Sequence, residues 1–158
     1  MKSVYIYSGD KKLASEIKNL PLAQNARIIK NISEIPAGES GIIIVYKTHG
    51  AGLIIPPDYT AVALEEDTEA LRDIKECGLP VVTCGFSSTS TINISGCGEN
   101  EISFGIQRKI KALDGSIFEE GELPIALPSS TDKTAAMLWV AMAMLLVGEK
   151  EFRLLFDI

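Results

Sequence analysis

Between Gly41 and Tyr46 the chain reads GIIIVY, six residues with no charge and no polar break. Such a run has no side fit for solvent. It predicts a strand covered on both faces, the place of a central strand in a parallel sheet. The neighbouring segments fit that frame. Val4 to Tyr7 (VYIY) is a short run of β-formers ended by Ser8-Gly9-Asp10. Lys11 to Leu20 follows with Leu13, Ala14, Ile17 and Leu20 at helical spacing, and Pro21 closes it. Arg27 to Lys30 reads as a second strand, Asn31 to Ser40 as a linker, and Lys47 to Pro57 as a loop. Tyr59 to Leu64 is a further strand. Asp67 reads as the N-cap of a helix with the inner stripe Leu71, Ile74 and Cys77, ended by Gly78, before a buried strand at Pro80 to Cys84.

The pattern then changes. Thr91 to Ser95, Glu101 to Lys111 and Gly121 to Leu127 alternate like antiparallel strands, with a hairpin signal at Asp114-Gly115. Thr131 to Gly148 is one helix, apolar nearly all round, so it must be buried against a sheet or another subunit. The last residues, EFRLLFDI, read as a short edge strand or docking tail. The fold expected is α/β: a Rossmann-like parallel sheet flanked by helices, continuing into an antiparallel β-meander and a C-terminal buried helix. At 158 residues it forms a single domain, 1–158.

Charge narrows the partners. Fifteen Lys and Arg against 21 Asp and Glu leave a net charge of −6. Phosphate-rich nucleic acid and anionic membranes would be repelled, although a local basic spot is compatible with this balance. The N-terminal apolar run is too short for a signal peptide, and Ala135 to Val147 falls short of the roughly 20 residues that span a bilayer. A cytoplasmic protein is expected. Cys77, Cys84 and Cys97 are odd in number and irregularly spaced, so they read as buried free thiols. With His49 the sole histidine, a zinc site has no support.

The second half carries a resemblance. ALEED (Ala63 to Asp67), the helix DTEALRDIKECG, the strand end VVTCG, the segment ISFGI and the closing LPSSTDKTAAMLWVAMAMLLVGE follow one another in a telling order. That order resembles the end of the central domain of Mur ligases and folylpolyglutamate synthases, over roughly residues 60 to 149. The family binds ATP through a Gly-x-x-Gly-Lys-Ser/Thr loop whose N–H groups and lysine hold phosphates. Here strand one is followed by SGDKKLAS (Ser8 to Ser15), and Thr131-Asp132 stands where the family has His-Asn. The family's C-terminal ligase domain has no counterpart in the chain. The resemblance implies a degenerate central domain that lacks the P-loop, with no cofactor and no ATP–magnesium site.

Three loops follow parallel strands and should emerge on one edge of the sheet. Ser8, Gly9, Asp10 and Lys11 open a helix, where α/β folds bind anions, and an N-cap by Ser8 or Asp10 is the plainer reading. Lys47, Thr48, His49 and Gly50 follow the central strand; His49 could titrate near neutrality, or it is simply an exposed loop histidine. Gly85, Ser87 and Ser88 begin the hydroxyl-rich stretch GFSSTST. It has the Gly-x-Ser of a nucleophile elbow without its second glycine, and the hydroxyls equally suit backbone groups at a strand connection. Glu65, Glu66 and Asp67 suit magnesium or a helix start. Trp139, Met137, Met142 and Met144 suit a core or a homodimer surface. No catalytic residue and no metal ligand is assigned. The expected role is a non-catalytic binding or assembly module, acting as a homodimer or with a partner protein such as a full ligase. The rival is a nucleotide- or UDP-sugar-binding protein or ligase-associated enzyme using the three loops.

Overall fold

The computed structural model describes residues 2–48 and 52–158. Its parallel half is built from β1 (Lys2–Ser8), α1 (Lys11–Lys18), β2 (Arg27–Ile29), β3 (Ser40–Tyr46), β4 (Tyr59–Leu64), α2 (Thr68–Glu76) and β5 (Val81–Cys84). Then come β6 (Ile92–Cys97), β7 (Ile102–Ile106), β8 (Ile110–Lys111), β9 (Ile117–Phe118), β10 (Gly121–Ile125), α3 (Lys133–Val147) and α4 (Glu149–Phe156). Eight strands make one sheet in the order β10-β7-β6-β5-β4-β3-β1-β2, and β8 and β9 pair separately. Strands β1 to β6 run parallel, while β7 and β10 are antiparallel to their neighbours. This is the α/β, Rossmann-like arrangement expected.

GIIIVY occupies β3, between β1 and β4, and all six residues are buried. Alternate side chains enter opposite layers. Ile42, Ile44 and Tyr46 pack with α1 and α3, whereas Ile43 and Val45 pack with Ala70 and Ile74 of α2. Leu53 and Ile55 of the β3–β4 connection join the second layer, and the described part of that connection holds no helix. On α2 the buried stripe is Ala70, Asp73 and Ile74, with Leu71 and Cys77 half-buried beside it.

The parallel and antiparallel halves meet at one point. β5 pairs with β6 only through Cys84↔Ile92, so β6 starts level with the end of β5 and runs on beyond it. Helix α3 spans this joint, packing on α1, β3, β4, β5 and β6. Asp132 caps it by accepting a hydrogen bond from the Ala135 N–H (2.9 Å). Every residue from Ala135 to Leu145 is buried. The Trp139 indole N–H donates to the Pro21 carbonyl, and its ring meets Phe156 edge-on at 5.7 Å. Trp139 and the methionines are therefore core, covered within this chain.

Two elements differ from the sequence reading. EFRLLFDI is neither strand nor tail but helix α4, anchored by buried Phe152 and held by a Glu149–Arg153 ion pair one turn apart (2.7 Å). Glu101 to Lys111 is not one strand, because the chain leaves the sheet after Ile106 and forms the β8–β9 hairpin through Asp114-Gly115. That hairpin is fastened to the helix corner. Leu113 N–H donates to the Leu145 carbonyl (3.0 Å) and Glu149 N–H to the Ser116 hydroxyl (2.9 Å).

Trp139→Ala should lower unfolding stability by about 3–5 kcal/mol in urea titration, through the cavity and the orphaned Pro21 carbonyl. Gly148 has φ +82° and ψ 172°, and a Cβ there would strike the Asp114 carboxylate. Gly148→Ala should therefore cost about 2 kcal/mol by the same measurement.

Candidate functional site

The strand order 2-1-3-4-5 reverses direction between β1 and β3, and ligands of such sheets sit outside the carboxyl ends at that reversal. The chain leaves β1 toward the α1 layer and leaves β3 toward the α2 layer. Here the β1–β3 ladder runs to its last rung. Gly9 N–H donates to the Tyr46 carbonyl at 2.9 Å. The turn from β1 to α1 is only Gly9-Asp10, and its polar groups bond to one another. Ser8 Oγ accepts from the Asp10 N–H (2.9 Å) and donates to the Asp10 carbonyl (3.0 Å), while Asp10 caps α1 through the Leu13 N–H (3.1 Å). Lys11 is exposed at the helix start.

The next loop is tied down in turn. Lys47 has φ +48°, its N–H donates to Asp67 Oδ2 (2.9 Å), and its ammonium lies 5.3 Å from the Tyr46 ring centre. Asp67 is also the N-cap of α2, accepting from the Ala70 N–H. Thr48 is half-buried. His49 and Gly50 lie outside the described residues.

The hydroxyl-rich turn converges on Glu65. That carboxylate accepts from the Thr89 hydroxyl (2.6 Å) and from the Ser90 hydroxyl. Ser87 and Thr89 share a hydrogen bond (2.7 Å), and Ser87 Oγ also accepts the Thr89 N–H (3.1 Å). Thr83 Oγ1 accepts the Thr91 N–H (3.1 Å) across the joint between β5 and β6. Gly85 lies so close to Ser90 that a Cβ would press on its hydroxyl. Ser88 is exposed. The hydroxyls thus hold a tight strand connection together. Of the acidic trio, Glu65 serves this turn, Asp67 the helix and the β3 loop, and Glu66 is exposed. The role of Glu65 as the organising group was not evident from sequence, because it lies 24 residues from Thr89.

The three loops stand in a row along the carboxyl edge, the second and third linked only through the Glu65–Asp67 segment between them. A shallow depression of about 440 Å³ is lined by Glu65, Glu66, Gly85, Phe86, Ser87 and Thr89. Neither Ser8–Lys11 nor Lys47–Thr48 lines it. Among the described residues, no three His, Cys, Asp or Glu side chains gather as metal ligands, and no helix is long and apolar enough to cross a membrane. The thiols divide. Cys84 is buried, and burial pushes its thiol far up; Cys77 is half-buried and donates to the Leu53 carbonyl (3.2 Å). Cys97, expected to be buried, is exposed because β6 ends beyond the sheet edge that β5 defines.

Hydrogen bonds from Ser90 first and Thr89 second hold the Glu65 carboxyl below its usual range, with Arg108 adding attraction. A depressed folded pKa stabilises above the unfolded value and loses that effect as pH falls through the folded one. Glu65→Gln should therefore be less stable than the parent at pH 7, and the gap should close below roughly pH 4, as urea melts at both pH values would reveal.

No protein-family model matches the chain, and no curated protein matches it in sequence. Two solved structures bear a distant likeness to it in fold. UDP-N-acetylmuramoylalanyl-D-glutamyl-2,6-diaminopimelate–D-alanyl-D-alanyl ligase from Acinetobacter baumannii superposes with a TM-score of 0.48 at 8% identity. MurF from Acinetobacter baumannii does so with a TM-score of 0.49 at 9% identity. Each comparison covers 96% of this chain but 44% of the other, so the chain spans less than half the length of the structures it resembles.

Proposed function

We propose that this chain is a non-catalytic binding module: a Mur-ligase-like α/β domain with a degenerate nucleotide site, working through contact with another protein. The observation that carries this reading is the internal hydrogen bonding of the β1–α1 turn. A phosphate-gripping loop needs free backbone N–H groups around an open concavity at a helix start. At this position the Gly9 N–H is bonded to Tyr46, the Asp10 N–H to Ser8 and the Leu13 N–H to Asp10. The neighbouring Lys47 N–H is bonded to Asp67. Of the amides at this helix start, only those of Lys11 and Lys12 are left for an anion. The depression at Glu65 and Glu66 presents carboxylates, which repel phosphate. The Ser87 hydroxyl is hydrogen-bonded to Thr89 and the Ser90 hydroxyl to Glu65, whose carboxyl is held below its usual range and is therefore a weak base.

The rival reading places a nucleotide or UDP-sugar on these loops, with exposed Phe86 as a stacking surface beside the depression. Calorimetric titration with ATP–magnesium and with a UDP-linked cell-wall precursor separates the two. Silence at millimolar ligand is expected. Heat saturating at one site per chain, and abolished by Lys11→Ala or Phe86→Ala, would overturn the non-catalytic module in favour of the ligand-binding protein.

A further inference from the structure

The feature that the carboxyl edge leaves unexplained lies on the other side of β5. Because β5 meets β6 only at Cys84↔Ile92, Val81 and Val82 have a neighbour in β4 and no strand opposite, while Thr83 faces Thr91 through its side chain. The Pro80 carbonyl accepts the Ala61 N–H (2.9 Å), which sets the phase of the ladder. Val82 then bonds toward β4, and the backbone groups of Val81 point the other way. They face a notch of about 540 Å³ whose far wall is the segment Arg108 to Leu113.

Its charge is basic. Arg108, Lys109 and Lys111 line it and no Asp or Glu does, in a chain with 21 acidic against 15 basic residues. Lys109 reaches Glu119 at 3.6 Å, both side chains being exposed. Among the described residues, Arg108 and Lys111 have no carboxylate within ion-pair distance. An open strand edge is a template for an added strand, and the charges beside it select which strand. We propose that an acidic, extended segment of a partner protein adds to the sheet here, its backbone pairing with Val81 and its carboxylates meeting Arg108 and Lys111. This rests on the binding-module reading and names the partner's chemistry. It concerns a different surface from the nucleotide titration, so each can fail alone.

The test is selection of a displayed random heptapeptide library on the full chain, followed by binding of the enriched peptides as synthetic molecules. Enriched peptides should be rich in Asp and Glu at alternate positions. They should bind the double variant Arg108→Glu/Lys111→Glu at least about ten-fold more weakly. They should also slow amide exchange at Val81. Both substituted side chains are exposed, so the fold should tolerate them; if the melt shifts, Arg108→Gln/Lys111→Gln serves instead. The proposal falls if no peptide is enriched, if enriched peptides lack acidic residues, or if charge reversal leaves binding unchanged. It falls equally if oligo(dT) binds the notch more tightly than any peptide, which would assign the surface to nucleic acid.

Discussion

The structure depends on one helix that has no outward face. Eleven consecutive residues of α3 are buried, and only a sheet on one side with α1, α4 and the β8–β9 hairpin around the rest can bury them. At about 1.5–3 kcal/mol for each large apolar side chain, this helix is the largest single reservoir of hydrophobic stabilisation in the chain. Other features follow from serving it. Pro21 is where it is because its carbonyl receives the Trp139 indole, and α4 turns back so that Phe152 and Phe156 can close the remaining side. Gly148 is required because that reversal occurs against Asp114.

The carboxyl edge and the β5 notch present opposite balances of polar groups. At the edge, backbone N–H groups that a doubly wound fold commonly offers to a ligand are engaged by Tyr46, Ser8, Asp10 and Asp67. At the notch, backbone groups in the middle of the sheet lack a strand beside them, and cations stand opposite. Desolvated backbone groups demand partners. The first surface has satisfied much of that demand internally, and the second invites satisfaction from outside.

Much of the architecture was legible because burial on both faces leaves a plain mark. GIIIVY, VVTC and the apolar stretch of α3 were readable for that reason, as were the caps at Asp67 and Gly78. Helix α4 was not, since a single buried residue, Phe152, carries it while Leu154 and Leu155 stay exposed. The Glu149–Arg153 spacing was the signal available. The three loops were rightly placed after parallel strands, but their mutual hydrogen bonds depend on how neighbouring strands end, which no local pattern encodes. RKIK was absorbed into an overlong strand, so its cluster of charge in an acidic chain went unread. The offset between β5 and β6 is a property of pairing across the sheet and leaves no trace in either strand's own residues.

That offset has a mechanical consequence. Two half-sheets joined by one residue pair are not a continuous slab, and backbone pairing alone would let one swing on the other. Helix α3 acts as a splint, since it lies across β3, β4 and β5 on one side of the joint and β6 on the other. It is also encoded after every strand, so both half-sheets are synthesised before the element that unites them. Cooperativity is thus a late acquisition of this chain. Loosening α3 would leave two weakly coupled units that open separately, each retaining its own internal ladder.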